Sequence, residues 1–192
     1  MLKSEEGKLI ILSGPSAVGK GTVITALMDE YQDISYSVSV TTRQPRVDEE
    51  DGVDYFFVSE TEFKEMIDND EFIEWAKVHE NYYGTPKKCV EDTLASGQDV
   101  ILEIDIQGAA QVKKSYQQGV FIFLAPPSLE ELEARIQKRG TDSQKAIEVR
   151  MENATEEMER AENYDYIVVN DEVEEAVEKV KSVIIAERCK VD

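Results

Sequence analysis

Apolar and polar positions follow two different patterns along the chain. Leu9–Leu12, Asp99–Ile106, Val120–Ala125 and Tyr166–Val169 are apolar runs without clean alternation. Runs of this kind read as strands buried on both faces, which implies a parallel sheet. Segments of helical spacing lie between them. Val23, Ile24, Leu27 and Met28 mark the first, and Leu129, Leu132 and Ile136 a later one ending at Gly140. A longer helix is predicted from about Ser143 to Ala161, with Ile147, Met151, Ala154 and Met158 on one face; Val173, Val177, Val180 and Ile184 mark the last. Strands alternating with helices predict an α/β fold whose sheet is covered by helices on both faces.

The stretch from about 35 to 97 reads differently. Ile34–Thr42 is rich in β-branched residues and serines and predicts a strand, as do Asp54–Val58 and Phe72–Val78. Ser59 and Glu62 have capping-box spacing, followed by Phe63, Met66 and Ile67 at helical spacing. Ser128 and Glu131 repeat that spacing. Asn81–Thr85 reads as a turn, and Pro86 suits the first position of a helix that carries Val90 and Leu94 and stops at Gly97. The expectation is one domain over 1–192, with a core of about 1–34, 98–126 and 162–192. A mixed α/β lobe is inserted at about 35–97, and a helical lid spans about 127–161.

The first strand runs into Gly14-Pro15-Ser16-Ala17-Val18-Gly19-Lys20-Gly21-Thr22 and then into a helix. Strand, glycine-rich turn and helix, in that order, make a phosphate-binding loop, or P-loop. Its amides converge on an anion at the positive end of the helix, and Lys20 adds a mobile charge. Gly21 stands where Ser or Thr usually ligates magnesium, and the hydroxyl comes one residue later at Thr22. The loop resembles in this respect those of nucleoside-monophosphate kinases, which implies magnesium held mainly by phosphates and water, with no protein metal site.

Composition narrows the classes. With 21 Lys and Arg against 41 Asp and Glu, the net charge is −20, which excludes a non-specific nucleic-acid binder. Cys89 and Cys189 lack metal-ligand spacing and read as free thiols in a reducing compartment. His79 is the single histidine, which leaves little room for a histidine-based triad. No apolar run is long enough for a signal peptide or membrane span, so a cytoplasmic location is expected.

In so acidic a chain, the placement of the arginines is informative. Arg135 and Arg139 lie four apart on one predicted helix, and Arg150 lies on the next. Glu131 is placed to pair with Arg135, whereas Arg139 and Arg150 have no carboxylate three or four residues away within their helices. Arg43 and Arg46 lie beside a run of acids, so solvated pairing and a phosphate clamp are both open. Glu74, inside Phe72–Ala76, is either an outward strand residue or a carboxylate placed for a partner such as the N1–H and N2–H edge of guanine. Asp105 closes a core strand in Asp105-Ile106-Gln107-Gly108, the D-x-x-G of P-loop GTPases. The Asn-Lys-x-Asp that those proteins also need is absent, so a GTPase reading fails.

Taken together, the P-loop, Ser39-Val40-Thr41-Thr42-Arg43-Gln44-Pro45-Arg46 with Glu49, Gly52, Asp54 and Tyr55, Phe72–Ala76, Asn81–Thr85, Asp105–Gly108, Arg139-Gly140 and Val169-Asn170-Asp171 resemble the guanylate kinase family over nearly the whole chain. Ala17 stands where a glycine is more usual, and Thr85 where some members have Ser. The resemblance implies transfer of phosphate from ATP to GMP, giving ADP and GDP in purine metabolism, with Mg2+. It places ATP on Gly14–Thr22, Arg135, Arg139 and Asn170. Arg43, Arg46, Tyr55 and Tyr83 would hold the GMP phosphate; Ser39, Glu74, Thr85 and Asp105 would read the guanine. Lys20, Arg43, Arg139 and Arg150 would carry catalysis. ATP and GMP are the expected partners, with dGMP a further acceptor and homo-oligomerisation open; no nucleic acid or membrane is expected. The alternative is an inactive guanylate-kinase-like module that binds partner proteins.

Overall fold

The computed structural model describes residues 6–78, 80–138 and 144–191. In chain order the elements are β1 (Leu9–Ser13), α1 (Lys20–Glu30), β2 (Ile34–Tyr36), β3 (Val40–Thr41), β4 (Phe56–Phe57), α2 (Glu60–Asp68), β5 (Phe72–Val78), β6 (Asn81–Pro86) and α3 (Lys87–Ala95). Then follow β7 (Asp99–Glu103), α4 (Ile106–Ser115), β8 (Val120–Ala125), α5 (Leu129–Lys138), α6 (Gln144–Glu159), β9 (Tyr166–Val169) and α7 (Val173–Arg188). The α/β class with a parallel sheet expected from the apolar runs is the class observed. His79, and the Arg139–Ser143 segment containing Arg139, lie outside the described residues.

The chain divides into two compact units. One comprises residues 10–32, 103–106 and 120–192. Here β8 pairs in parallel with β1 on one side and β9 on the other, Ser13 opposite Phe123 and Ala125 opposite Val169. Ile10, Ile11, Leu12 and Phe121 to Leu124 are almost wholly buried. That is why these strands show no alternation: helices cover both faces and leave no solvent side. Val23, Ile24 and Leu27 of α1 and Ala176, Val177, Val180 and Ile184 of α7 supply buried helical stripes.

The other unit comprises residues 1–9, 33–102 and 107–119. β2 and β7 pair in parallel, Ser35 opposite Val100. The lobe is a separate sheet in the order β4-β3-β6-β5, in which β6 is antiparallel to both β3 and β5. Phe63 of α2 stacks on Phe72 of β5 at 4.5 Å, with Val40, Met66, Ile67 and Tyr82 around the pair. α2 starts on a full capping box, Ser59 accepting from the Glu62 amide and Glu62 returning to the Ser59 amide.

Three sequence expectations are corrected here. Ile34–Thr42 is two strands, because residues 37–39 leave β2 to enter the lobe sheet at β3. Asp54–Val58 shrinks to Phe56–Phe57, since Asp51–Asp54 turns to satisfy its own amides, with Gly52 donating to the Tyr55 carbonyl at 2.8 Å. Asn81–Thr85 is a strand and not a turn. Its glycine suggests a turn, yet Gly84 is a packing site: a Cβ there would meet the Phe72 ring at 2.8 Å. The pattern of Ile106, Ala109 and Val112 also makes α4, a helix that the sequence analysis does not anticipate.

Candidate functional site

The phosphate-type loop belongs to the first unit described. Ser13 ends β1 wholly buried, and the chain then turns through Ala17 at φ 67° and Gly19 at φ 99° into α1 at Lys20. Gly19 is required twice over. Its backbone is left-handed, and a Cβ would meet the Asn170 amide nitrogen at 2.6 Å. Ala17 adopts the left-handed region despite its Cβ, at a cost of roughly 1 kcal/mol. α1 has no side-chain cap and no acid in its first turn, in contrast to α2, which has both. Uncapped first-turn amides at the positive end of a helix suit a bound anion.

Lys20 curls back over the loop, its Nζ donating to the carbonyls of Gly14 at 2.7 Å and Pro15 at 3.2 Å. Asn170, buried after β9, donates to the Val18 carbonyl at 2.8 Å. Arg135 lies at the same point. Its Nε donates to Glu131 at 3.0 Å, and Nη1 donates to the carbonyls of Asn170 at 3.0 Å and Val18 at 3.5 Å. The expected Ser128–Glu131 box is made in one direction: the Ser128 hydroxyl accepts the Glu131 amide, while the Glu131 carboxylate serves Arg135. Arg150 is half-buried on α6, and Asp105 is half-buried between β7 and α4. Pro15, Ser16, Gly21 and Thr22 complete the loop; Thr22 is exposed.

In the lobe, Arg43 is held from three directions. Its guanidinium makes a two-point pair with Glu49 at 2.8 and 2.9 Å and lies 5.2 Å from the Tyr55 ring centre. Tyr83 adds a smaller electrostatic hold on it, and the Tyr55 and Tyr83 rings meet edge-on at 6.0 Å. Glu49 raises the Arg43 pKa above its ordinary value and is itself held down to about 2, chiefly by the Arg43 hydrogen bonds against the opposing effect of burial. Arg46 stands at the rim with its side chain 77% exposed and its amide donating to Glu49 at 2.8 Å. Glu49, named in the sequence only as part of the family signature, is thus the residue that organises Arg43.

Glu74 resolves toward the inward alternative. It is 6% exposed, while its neighbour Trp75 is 38% exposed. The buried Thr85 hydroxyl donates to Glu74 Oε1 at 2.7 Å, which fixes the plane of the carboxylate. Phe72 pairs with Pro86 and Glu74 with Thr85, so Ile73 is an extra residue on β5. The bulge lets Phe72, Ile73 and Glu74 be buried in succession, which strict alternation would not allow. Ser39 is half-buried at the entry to β3, its carbonyl accepting the Phe56 amide at 2.9 Å.

Comparison with known proteins is uniform. A family model described as guanylate kinase matches residues 6–187. The chain belongs to the guanylate kinase family. A guanylate kinase from Caldanaerobacter subterraneus subsp. tengcongensis is 55% identical over 188 residues, 98% of this chain and 91% of that one. One from Latilactobacillus sakei subsp. sakei is 56% identical over 189 residues, covering 98% and 93%. The crystal structure of guanylate kinase from Anaplasma phagocytophilum matches with a TM-score of 0.81 at 36% identity, covering 99% of this chain and 90% of that chain. As a guanylate kinase this chain is an enzyme, a nucleoside-monophosphate kinase. No described helix is long and apolar enough to cross a membrane.

Proposed function

We propose that this guanylate kinase moves the γ-phosphoryl group of ATP to a phosphate oxygen of GMP, and that its two anion sites divide the work. The buried Glu74–Thr85 pair carries the choice of acceptor. A fixed carboxylate accepts the adjacent N1–H and N2–H of guanine, whereas adenine presents an acceptor at N1. Ser39 and Asp105 complete the base contacts; Arg43, Arg46, Tyr55 and Tyr83 take the GMP phosphate, and dGMP is a second acceptor. Gly14–Thr22 cradles the ATP phosphates through its amides, with Arg135 and Asn170 on the nucleoside side. Lys20, Arg139 and Arg150 stabilise the charge that develops on the transferring group.

Magnesium fits this donor set as an ion held mostly by nucleotide oxygens. Among the described residues no group of three or more His, Cys, Asp or Glu stands ready to hold a metal. A carboxylate oxygen of Glu103, Oε2, lies 3.3 Å from where a Cβ on Gly21 would be. Glu103 and the Thr22 hydroxyl are the side chains that would face such an ion, directly or through water. When bound, it supplies charge neutralisation between the outer phosphates.

An intact loop lysine and a left-handed loop backbone disfavour the inactive-module alternative. The deciding experiment is ADP release with ATP and a panel of GMP, dGMP, AMP, UMP and dTMP. Release confined to GMP and dGMP is expected; equal release with AMP overturns the assignment of Glu74.

A further inference from the structure

Glu157, in the last turn of α6, is a carboxylate that none of the roles above employs. Its location follows from packing. Met158 and Tyr164 lie against a buried cluster of Ile106, Phe123, Ala125 and Ala161. The Tyr164 ring meets Phe123 edge-on at 5.2 Å, and Phe123 is the register partner of Ser13, the residue that opens the phosphate loop. The Ser13 and Tyr164 hydroxyls approach one another there without reaching hydrogen-bond geometry. The end of α6 is therefore seated at the base of the loop. Glu157, half-buried near that end, is within electrostatic reach of Lys20, Asp105, Arg160 and the Ser16 amide.

Those groups are informative. The Ser16 amide and the Lys20 ammonium are two of the groups that a polyphosphate uses in such a loop. Both favour the charged carboxylate, as does Arg160, while burial, the largest influence, and Asp105 oppose it and raise the Glu157 pKa. A carboxylate set against these groups and incompletely solvated is a poor counter-anion, readily exchanged for a phosphate that brings more charge and more acceptors.

We propose that Glu157 is a positioning residue that competes with the ATP phosphates for the Ser16 amide and Lys20, and so sets ATP affinity. Arg150 lies seven residues earlier on α6, two turns away on the same face. Exchange of Glu157 for phosphate thus acts on the helix that carries Arg150. The inference rests on the loop being the ATP site.

Titration calorimetry with ATP, and separately with inorganic tripolyphosphate, tests it. Glu157→Gln removes the competing charge, and Glu157→Asp keeps the charge but shortens its reach. Both should bind each ligand roughly three- to fivefold more tightly, the scale of one partly exposed ion pair. KM for ATP should fall while KM for GMP holds. Glu156→Gln, on the exposed side of the same helix, makes the same change in net charge and should leave affinity unchanged. Wild-type affinity in Glu157→Asp, weaker binding in either variant, or an equal gain in Glu156→Gln overturns the proposal. If Glu157→Gln proves unstable, Glu157→Asp decides alone. Tripolyphosphate binding keeps this test separate from the acceptor panel, which can fail while Glu157 still competes.

Discussion

The two sites proposed here for anions are built by opposite means. The loop at Gly14–Thr22 presents backbone amides, its shape set by φ values at Ala17 and Gly19 that most residues resist. The lobe presents side chains, and its central cation is already committed to a carboxylate: Arg43 holds Glu49 by two hydrogen bonds. A backbone site is preorganised by chain geometry and reads charge with little regard for what bears it. A side-chain site needs a second carboxylate to hold its arginine still, and its neighbours can then read a base. Donor binding calls for the first kind and acceptor choice for the second.

That contrast can be broken at four points. The largest effect is expected from Lys20→Ala, which removes the lysine that curls over the backbone site. Turnover in a coupled ADP assay should fall roughly 100- to 1,000-fold, the scale of losing one transition-state charge contact; near-normal turnover would mean that the amides suffice alone. Next, Glu74→Gln should cost about 1–3 kcal/mol in kcat/KM for GMP, because a buried acceptor becomes half donor. Selectivity over AMP should narrow with it, and an unchanged ratio would remove base reading from the lobe.

The third point is the carboxylate that steadies Arg43. Its pKa is lowered from an ordinary 4.5 to about 2, so the pair's stabilisation is complete above pH 4.5 and is lost as pH falls through about 2. Arg43→Ala should return the Glu49 titration, followed by carboxyl carbon NMR shifts, toward its ordinary range. A midpoint still near 2 would show that Arg43 is not what holds it. The smallest effect belongs to Ala17→Gly, which relieves a left-handed alanine but loosens the unfolded chain. A net gain of about 0.5 kcal/mol, read as a small rise in Tm, is expected; a loss would mean that the methyl group contributes to packing.

Much of this was legible before any coordinates. The loop showed itself because a strand, glycines and an amphipathic helix are local in sequence. The parallel strands showed themselves because burial on both faces erases alternation. What stayed hidden depends on distant pairing. Asn81–Thr85 looked like a turn because the rings that need Gly84 bare belong to Phe63 and Phe72. Arg135 reads as an i, i+4 partner of Glu131, which it is, but its contacts with Val18 and Asn170 join residues more than a hundred and about thirty-five positions away. Glu157 carried no local signal, being one acid among several on an acidic helix.

The extra residue in β5 has a consequence for how this lobe can change. Phe72, Ile73 and Glu74 are buried in succession because the bulge resets the strand's phase, and Trp75 takes the outward place that follows. The Glu74 carboxylate therefore behaves like a letter in a reading frame. A one-residue slip of β5 against β6 would bring Trp75 opposite Thr85 and turn the acid to the other face. Substitutions can drift through this strand one at a time, but its register is fixed.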